Sequence, residues 1–174
     1  KLPGIFLVLE KAEPSAGSVG STLDHFAFRV RDLAGTSARL KAAGIPLTRD
    51  DSLEIVAMFP DDLKVEFYPA PRLAAPIEHF HAHFYAADVD GLRAWYAKHF
   101  GAATPTATNA NAMGVPGMSL SFRRTDVAQA ATKGRSLDHI GFEVKDLEAF
   151  CKRLTAAGVT FEVDVPAPRL VAVE

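Results

Sequence analysis

The chain has 174 residues, 48% hydrophobic and 23% charged, with a formal net charge of -2. That is enough to bury a core in one or two compact domains, and the scattered lysines and arginines form no basic face for nucleic acid or an anionic membrane. No apolar run reaches the roughly 20 residues of a membrane-spanning helix, and the single cysteine, Cys151, excludes an intrachain disulfide and a thiolate cluster within one chain.

No nucleic-acid or membrane partner is therefore expected. One thiol fits a reducing compartment, and a soluble, cytoplasmic protein is the default expectation. The sequence starts at Lys1 without Met and shows no signal-peptide pattern, which fits an upstream segment having been removed or left out.

In chain order, residues 4–10 (Gly-Ile-Phe-Leu-Val-Leu-Glu) are rich in β-branched and aromatic residues and read as a strand. Lys11 to Ser21, with Pro14, Gly17 and Gly20, reads as a linker. From His25 the pattern alternates: Phe26, Phe28 and Val30 share one face, and His25, Ala27 and Arg29 the other. The apolar face needs cover. The next segment supplies a helix, with Asp32 as N-cap, Leu33, Leu40 and Ala43 on one stripe, and Gly44 as the stop. Residues 45–48, 53–59 and 64–68 read as short strands, with Pro60-Asp61-Asp62 turning into the last.

A second unit starts at His81. Its helix, Val89 to Phe100, carries Leu92, Trp95, Tyr96 and Phe100 at helical spacing as core, and Gly101 ends it. His99 reads as a cation well placed at a helix C-terminus. Residues 102–117 show no clear pattern, Met118–Phe122 reads as a strand and Arg123–Ser136 as a second linker. The third unit opens at His139 with a strand and continues into a helix over Leu147–Ala157, where Cys151 beside Leu147, Phe150 and Leu154 reads as a buried structural thiol.

These units repeat. Leu137-Asp138-His139-Ile140-Gly141-Phe142 copies Leu23-Asp24-His25-Phe26-Ala27-Phe28, and Phe80-His81-Ala82-His83-Phe84 is a looser copy. Each His is followed after seven residues by an Asp (Asp32, Asp88, Asp146) and after 19 or 20 by a Gly (Gly44, Gly101, Gly158). A longer period overlies this one: Pro3 and Pro116 lie 113 apart, and His25 and His139 lie 114 apart. Two unit types, A and B, therefore alternate: residues 2–10 end an A unit, 23–69 are a B unit, 79–123 an A unit, and 137–174 an incomplete B unit.

The repeated βαβββ units, opening with "LDHIGFEVKDLEAFCKRLTAAGV" and "HFHAHFYAADVDGLRAWYAKHFGA" and in one case closing with "LKVEFYPAP", resemble the vicinal oxygen chelate superfamily of glyoxalase I, bleomycin-resistance proteins and extradiol dioxygenases. The resemblance implies an α+β fold in which paired modules form a concave mixed β-sheet cleft with helices packed outside. It implies a first glyoxalase-like module pair over 1–70, its first module truncated at the N-terminus, and a second over 71–174, its last truncated at the C-terminus. It also implies a divalent metal, Fe, Mn, Ni or Zn, with ligand roles for His25, His81, His139 and Glu66.

The residues agree with that chemistry. The three histidines lie opposite the apolar strand positions, and Glu66 faces away from Val65 and Phe67, on the face of Lys64 and Tyr68. Two imidazoles and a carboxylate leave open positions for a substrate with adjacent oxygens. His83, Tyr85, Glu143 and Arg29 are candidates for acid-base or substrate contact, with His83 also a substitute ligand; His79 shares its alternation.

Neither pair is complete. The first lacks an A-type histidine, and the carboxylate of the second would lie 114 residues beyond Glu66, past Glu174, which is itself out of register. In the A units Ser121 and Phe122, or Leu9 and Glu10, stand where a fourth ligand would, with Glu10 a weak candidate, so a three-ligand site is favoured. Pairing of the middle B and A units would unite His25, Glu66 and His81, but the matching linkers argue against it. Completion within one chain and exchange between two copies, a homodimer, both stay open.

The function expected is a metal-dependent lyase, isomerase or dioxygenase acting on a small oxygen-chelating substrate. The alternative is a metal-free, drug-resistance-type binding protein.

Overall fold

The structure is a computed structural model that describes residues 5–103 and 111–162. The chain divides into two units, Lys1–Leu137 and Asp138–Glu174. The first holds a seven-stranded mixed sheet.

Strand β1 (Leu23–Val30) leads into helix α1 (Leu33–Ala42). Asp32 caps that helix by accepting from the Gly35 N–H at 2.8 Å, and beyond its end Gly44 takes φ +71°, a conformation costly for a side chain with a Cβ. Strands β2 (Leu47–Asp50), β3 (Ile55–Phe59) and β4 (Leu63–Pro69) follow, with a 3₁₀ turn at Pro60–Asp62. The alternation in β1 sorts as the sequence predicts. Phe26, Phe28 and Val30 join Ile55, Ala57, Val65 and Phe67 in one buried cluster, covered by Leu33 and Leu40 of α1.

Strand β5 (Ile77–Ala86) starts the second module, followed by α2 (Val89–Phe100), β6 (Ala112–Val115) and β7 (Met118–Arg124). Asp88 caps α2 from the Gly91 N–H at 2.9 Å, and Gly101 ends it in the left-handed region. Phe84, Tyr96 and Phe122 pack ring against ring between sheet and helix. His99 is buried against Trp95 rather than presented as a solvated end charge.

The strand order is β2-β3-β4-β1-β5-β7-β6. The last strand of each module runs parallel to its first, and the two first strands, β1 and β5, pair antiparallel at the centre. Residues 23–69 and 77–124 thus hydrogen-bond into one sheet, and their pairing runs across residue 70, where the sequence placed a division. The middle B and A units are the pair.

The linkers that argued against this arrangement bond to each other instead. The Thr22 N–H donates to the Ala130 carbonyl and the Ser136 N–H to the Ala16 carbonyl, both at 3.0 Å. Thr22 and Ser136, like Ala16 and Ala130, lie 114 apart, so the repeats' linkers contact each other reciprocally.

Two expected strands are absent. Phe6, Leu7, Val8 and Leu9 are exposed outside any strand, although Ile5 packs on the core. In the second unit the described residues form one helix, α3 (Leu147–Ala156), capped by Asp146. Residues 139–144 form no strand. A strand exists through its neighbours' hydrogen bonds. The matching sequence in β1 receives them from β4 and β5, whereas the described part of the second unit offers no strand to pair with. Cys151 on α3 is half-buried. Glu174 and the rest of 163–174 lie outside the described residues. Among the described residues no helix is long and apolar enough to cross a membrane.

Candidate metal centre

The face of the central strands opposite the apolar cluster gathers imidazoles. His25 of β1 lies opposite His83 of β5, and Ala27 lies opposite both His81 of β5 and Glu66 of β4. His25, Glu66, His81 and His83 each present a nitrogen or oxygen atom, and these atoms lie within 4.8 Å of one another.

The two cross-strand pairs are reciprocal. His25 of β1 therefore corresponds to His81 of β5, and Ala27 corresponds to His83. By the same symmetry Glu66, beside Ala27, corresponds to Ser121, beside His83. Where the second module lacks a carboxylate, it has gained an imidazole on the neighbouring strand.

Alternation along β5 breaks at one point. The ladder shifts between Ala27 and Phe28, and Phe28 lies opposite His79. Phe80 and His81 therefore both turn toward the imidazole face, as in a β-bulge. Phe80 packs on Tyr68 and lies 3.9 Å beneath the Arg29 guanidinium. His79 turns to the apolar side, edge-on to Phe28, buried, with no hydrogen-bond partner at either ring nitrogen. It does not share the face of His81.

The site is strongly charged. His25 Nδ1 contacts Asp24 Oδ1 at 2.7 Å and Nε2 contacts Glu66 Oε2 at 3.0 Å. Lys64 Nζ lies 3.2 Å from Glu66 and 3.3 Å from Asp24. The Tyr68 hydroxyl lies 2.9 Å from Glu66 Oε2 and 2.7 Å from Glu54 Oε1.

Burial alone would lower the His25 pKa, but the hydrogen bonds to Asp24 and Glu66 outweigh it and hold the pKa above the ordinary value. Burial alone would raise that of Glu66; His25, Lys64 and the Tyr68 hydroxyl instead hold it well below the carboxylate range. Burial, aided by Glu54 and Glu66, keeps Tyr68 protonated.

The β5 imidazoles behave oppositely. Burial, with the nearby His83 and His25, lowers His81 to about 3. Burial and the His25 charge lower His83 to about 4. Both are neutral near pH 7, the form that donates a lone pair to a metal. His81 Nε2 is buried without a hydrogen-bond partner, 3.9 Å from Glu66 Oε2. A cation among these donors would satisfy it.

Of the other candidates, Tyr85 stacks on His83 with ring centroids 5.0 Å apart, and Arg29 also pairs with Glu78 at 3.7 Å. Glu10 is exposed outside any strand. His139 and Glu143 belong to the second unit, where both are exposed. Sequence reasoning set Lys64 and Tyr68 on the face of Glu66 without giving them a role, and missed Asp24, for which the repeated Leu-Asp-His was the signal.

A family model for the Glyoxalase/Bleomycin resistance protein/Dioxygenase superfamily matches residues 48–168, more than half of the chain. No curated protein matches. Among solved structures, a glyoxalase I variant from Zea mays has a TM-score of 0.63 at 15% identity, covering 80% of this chain and 55% of its own. A second Zea mays glyoxalase I variant gives 0.50 at 15% identity, covering 64% and 47%. A Mn(II)-bound glyoxalase from Novosphingobium aromaticivorans gives 0.45 at 18% identity, covering 78% and 52%. The chain spans about half the length of these structures, and identities this low show likeness of fold. With the matched family model and this sheet of paired modules, the chain belongs to the glyoxalase/bleomycin resistance protein/dioxygenase superfamily, the vicinal oxygen chelate group.

Proposed function

We propose that the chain binds a divalent metal through His25, Glu66 and His81, with His83 as a fourth donor, and acts on a small substrate that presents two adjacent oxygens. The observation that carries this is the convergence of four donor atoms from three strands within 4.8 Å. Three imidazoles and one carboxylate suit Fe, Mn, Ni or Zn, and the unpartnered His81 Nε2 is the atom a cation would engage. A bound metal supplies Lewis-acid polarisation of the substrate's oxygens, the chemistry of a lyase, isomerase or dioxygenase of the glyoxalase type. The chain's own groups do the rest: Tyr85 braces the His83 ring, and Arg29, held over Phe80, offers a cation beside the site. In the second unit, His139 is proposed as a ligand of a separate site of the same kind.

One observation favours a second reading, metal-free binding of a small molecule. Lys64 and the His25 ring already pair with Asp24 and Glu66, so both carboxylates have partners without a metal. Metal analysis separates the two. The purified chain should retain or take up close to one divalent ion at this site, and His81→Ala should abolish that uptake. A chain that neither carries nor binds Fe, Mn, Ni or Zn would leave the binding-protein reading standing.

A further inference from the structure

We propose that Asp24 is a positioning residue that fixes the His25 ring so that Nε2 is its ligating nitrogen; this deepens, and rests on, the metal reading above. The His25 Nδ1–H donates to Asp24 Oδ1 at 2.7 Å, with the two side chains 1% and 6% exposed. Asp24 is itself held. The Gly20 N–H donates to its Oδ2 at 3.1 Å, and Lys64 Nζ to its Oδ1 at 3.3 Å. With the Nδ1 proton committed, Nε2 is left facing Glu66 Oε2 at 3.0 Å and His83 Nδ1 at 3.1 Å. A neutral imidazole that donates from one nitrogen offers its lone pair at the other, and a carboxylate on the donor side sets both tautomer and ring angle.

The contact is built by the tripeptide rather than by the sheet. In the second unit His139 Nδ1 lies 2.6 Å from Asp138 Oδ1, although neither residue is in a strand and both side chains are more than 40% exposed. Leu-Asp-His thus makes the same pair in two surroundings. The β5 histidines have no such neighbour, since Phe80 and Ala82 precede His81 and His83. Of the imidazoles at the site, His25 is the one whose orientation its own sequence carries.

The test pairs ring-nitrogen NMR of the metal-free protein, at alkaline pH where the imidazoles are neutral, with calorimetric titration by Zn(II). Wild type and Asp24→Asn, whose amide oxygen still accepts, should show His25 protonated at Nδ1. Asp24→Ala should shift it toward the Nε2–H tautomer and lose about 10- to 100-fold in zinc affinity, the range for loss of an outer-shell partner. Asp24→Asn should restore most of that affinity. Retention of the Nδ1–H tautomer in Asp24→Ala, or equal zinc loss in the Ala and Asn variants, would overturn the proposal. If Asp24→Ala does not fold, Asp138→Ala makes the same tautomer test on exposed His139, and an unchanged tautomer there overturns it equally. A wild type that binds no zinc sinks the metal reading, while the tautomer comparison still decides the role of Asp24.

Discussion

His25 Nε2 and His83 Nδ1 face each other across the β1–β5 ladder at 3.1 Å. Two imidazolium ions would repel at that separation, so one ring has to be neutral. The asymmetry follows from the partners: His25 lies between two carboxylates, whereas burial and the His25 charge lower His83 to about 4.

The stability of the metal-free protein should therefore depend on pH in a defined sense. His81 and His83, lowered from 6.5 to about 3 and about 4, bind fewer protons folded than unfolded, so their contribution to stability falls as the pH drops from 6.5. Glu66, also lowered, contributes stability above its ordinary 4.5 that is lost in stronger acid. His25 is raised and acts the other way: its contribution is complete below 6.5 and lost as the pH climbs through its raised value. His79 is lowered by burial as well, and below 6.5 the His25 contribution no longer changes, so the three lowered histidines give a net fall toward acid. Melting temperatures in a chelator should decrease from pH 6.5 to about 4, and the double variant His81→Leu/His83→Leu should flatten that slope. A flat wild-type profile would contradict the assignment.

Glu66→Gln should affect both metal and fold. It removes the carboxylate shared by His25, Lys64 and Tyr68 and leaves His25 and Lys64 with Asp24 as the one carboxylate between them. Breaking a buried pair from one side costs roughly 3 kcal/mol. Calorimetric zinc titration should show a loss of more than about 100-fold, exceeding that from losing an outer-shell partner. Denaturant unfolding would read the stability change, and a variant matching wild type in both would remove Glu66 from the site.

His79→Leu tests the bulge. The His79 ring lies on the apolar side against Phe28 with neither nitrogen bonded, so its replacement removes an orphaned polar group. Stability should rise by about 1 kcal/mol, with metal affinity unchanged. A large loss of metal binding would place His79 on the imidazole face after all.

Gly35→Ala and Gly91→Ala should be tolerated and mildly stabilising, by about 0.5 kcal/mol each. A Cβ at either position would meet the oxygen of the capping Asp32 or Asp88 at 2.0 or 2.2 Å, which looks prohibitive. Yet α3 has Ala149 at the same position, and its N–H still donates to Asp146 at 2.9 Å. The carboxylate is the movable end of a side chain and can turn aside. Thermal unfolding checks this, and a drop above about 1 kcal/mol would show that the cap cannot adjust.

Local rules were sufficient for much of this protein. The Asp caps, the glycine stops and the alternation of His25 against Phe26 and Phe28 each act within a few residues, and helix α2 spans the predicted Val89–Phe100. The repeat was equally visible, because both modules solve one packing problem with one pattern, and alternation set His25 and Glu66 on the side of their strands away from the apolar cluster. Tertiary structure decided which modules pair, where β5 bulges, and that His83 joins His25, Glu66 and His81 in one cluster. Those outcomes depend on hydrogen bonds between strands far apart in the chain, and a strand's own sequence does not name its neighbour. Residues 23–30 and 137–144 carry nearly the same pattern; the first is a central strand because β4 and β5 flank it, and the second, without strand neighbours among the described residues of its unit, still makes its local Asp138–His139 contact.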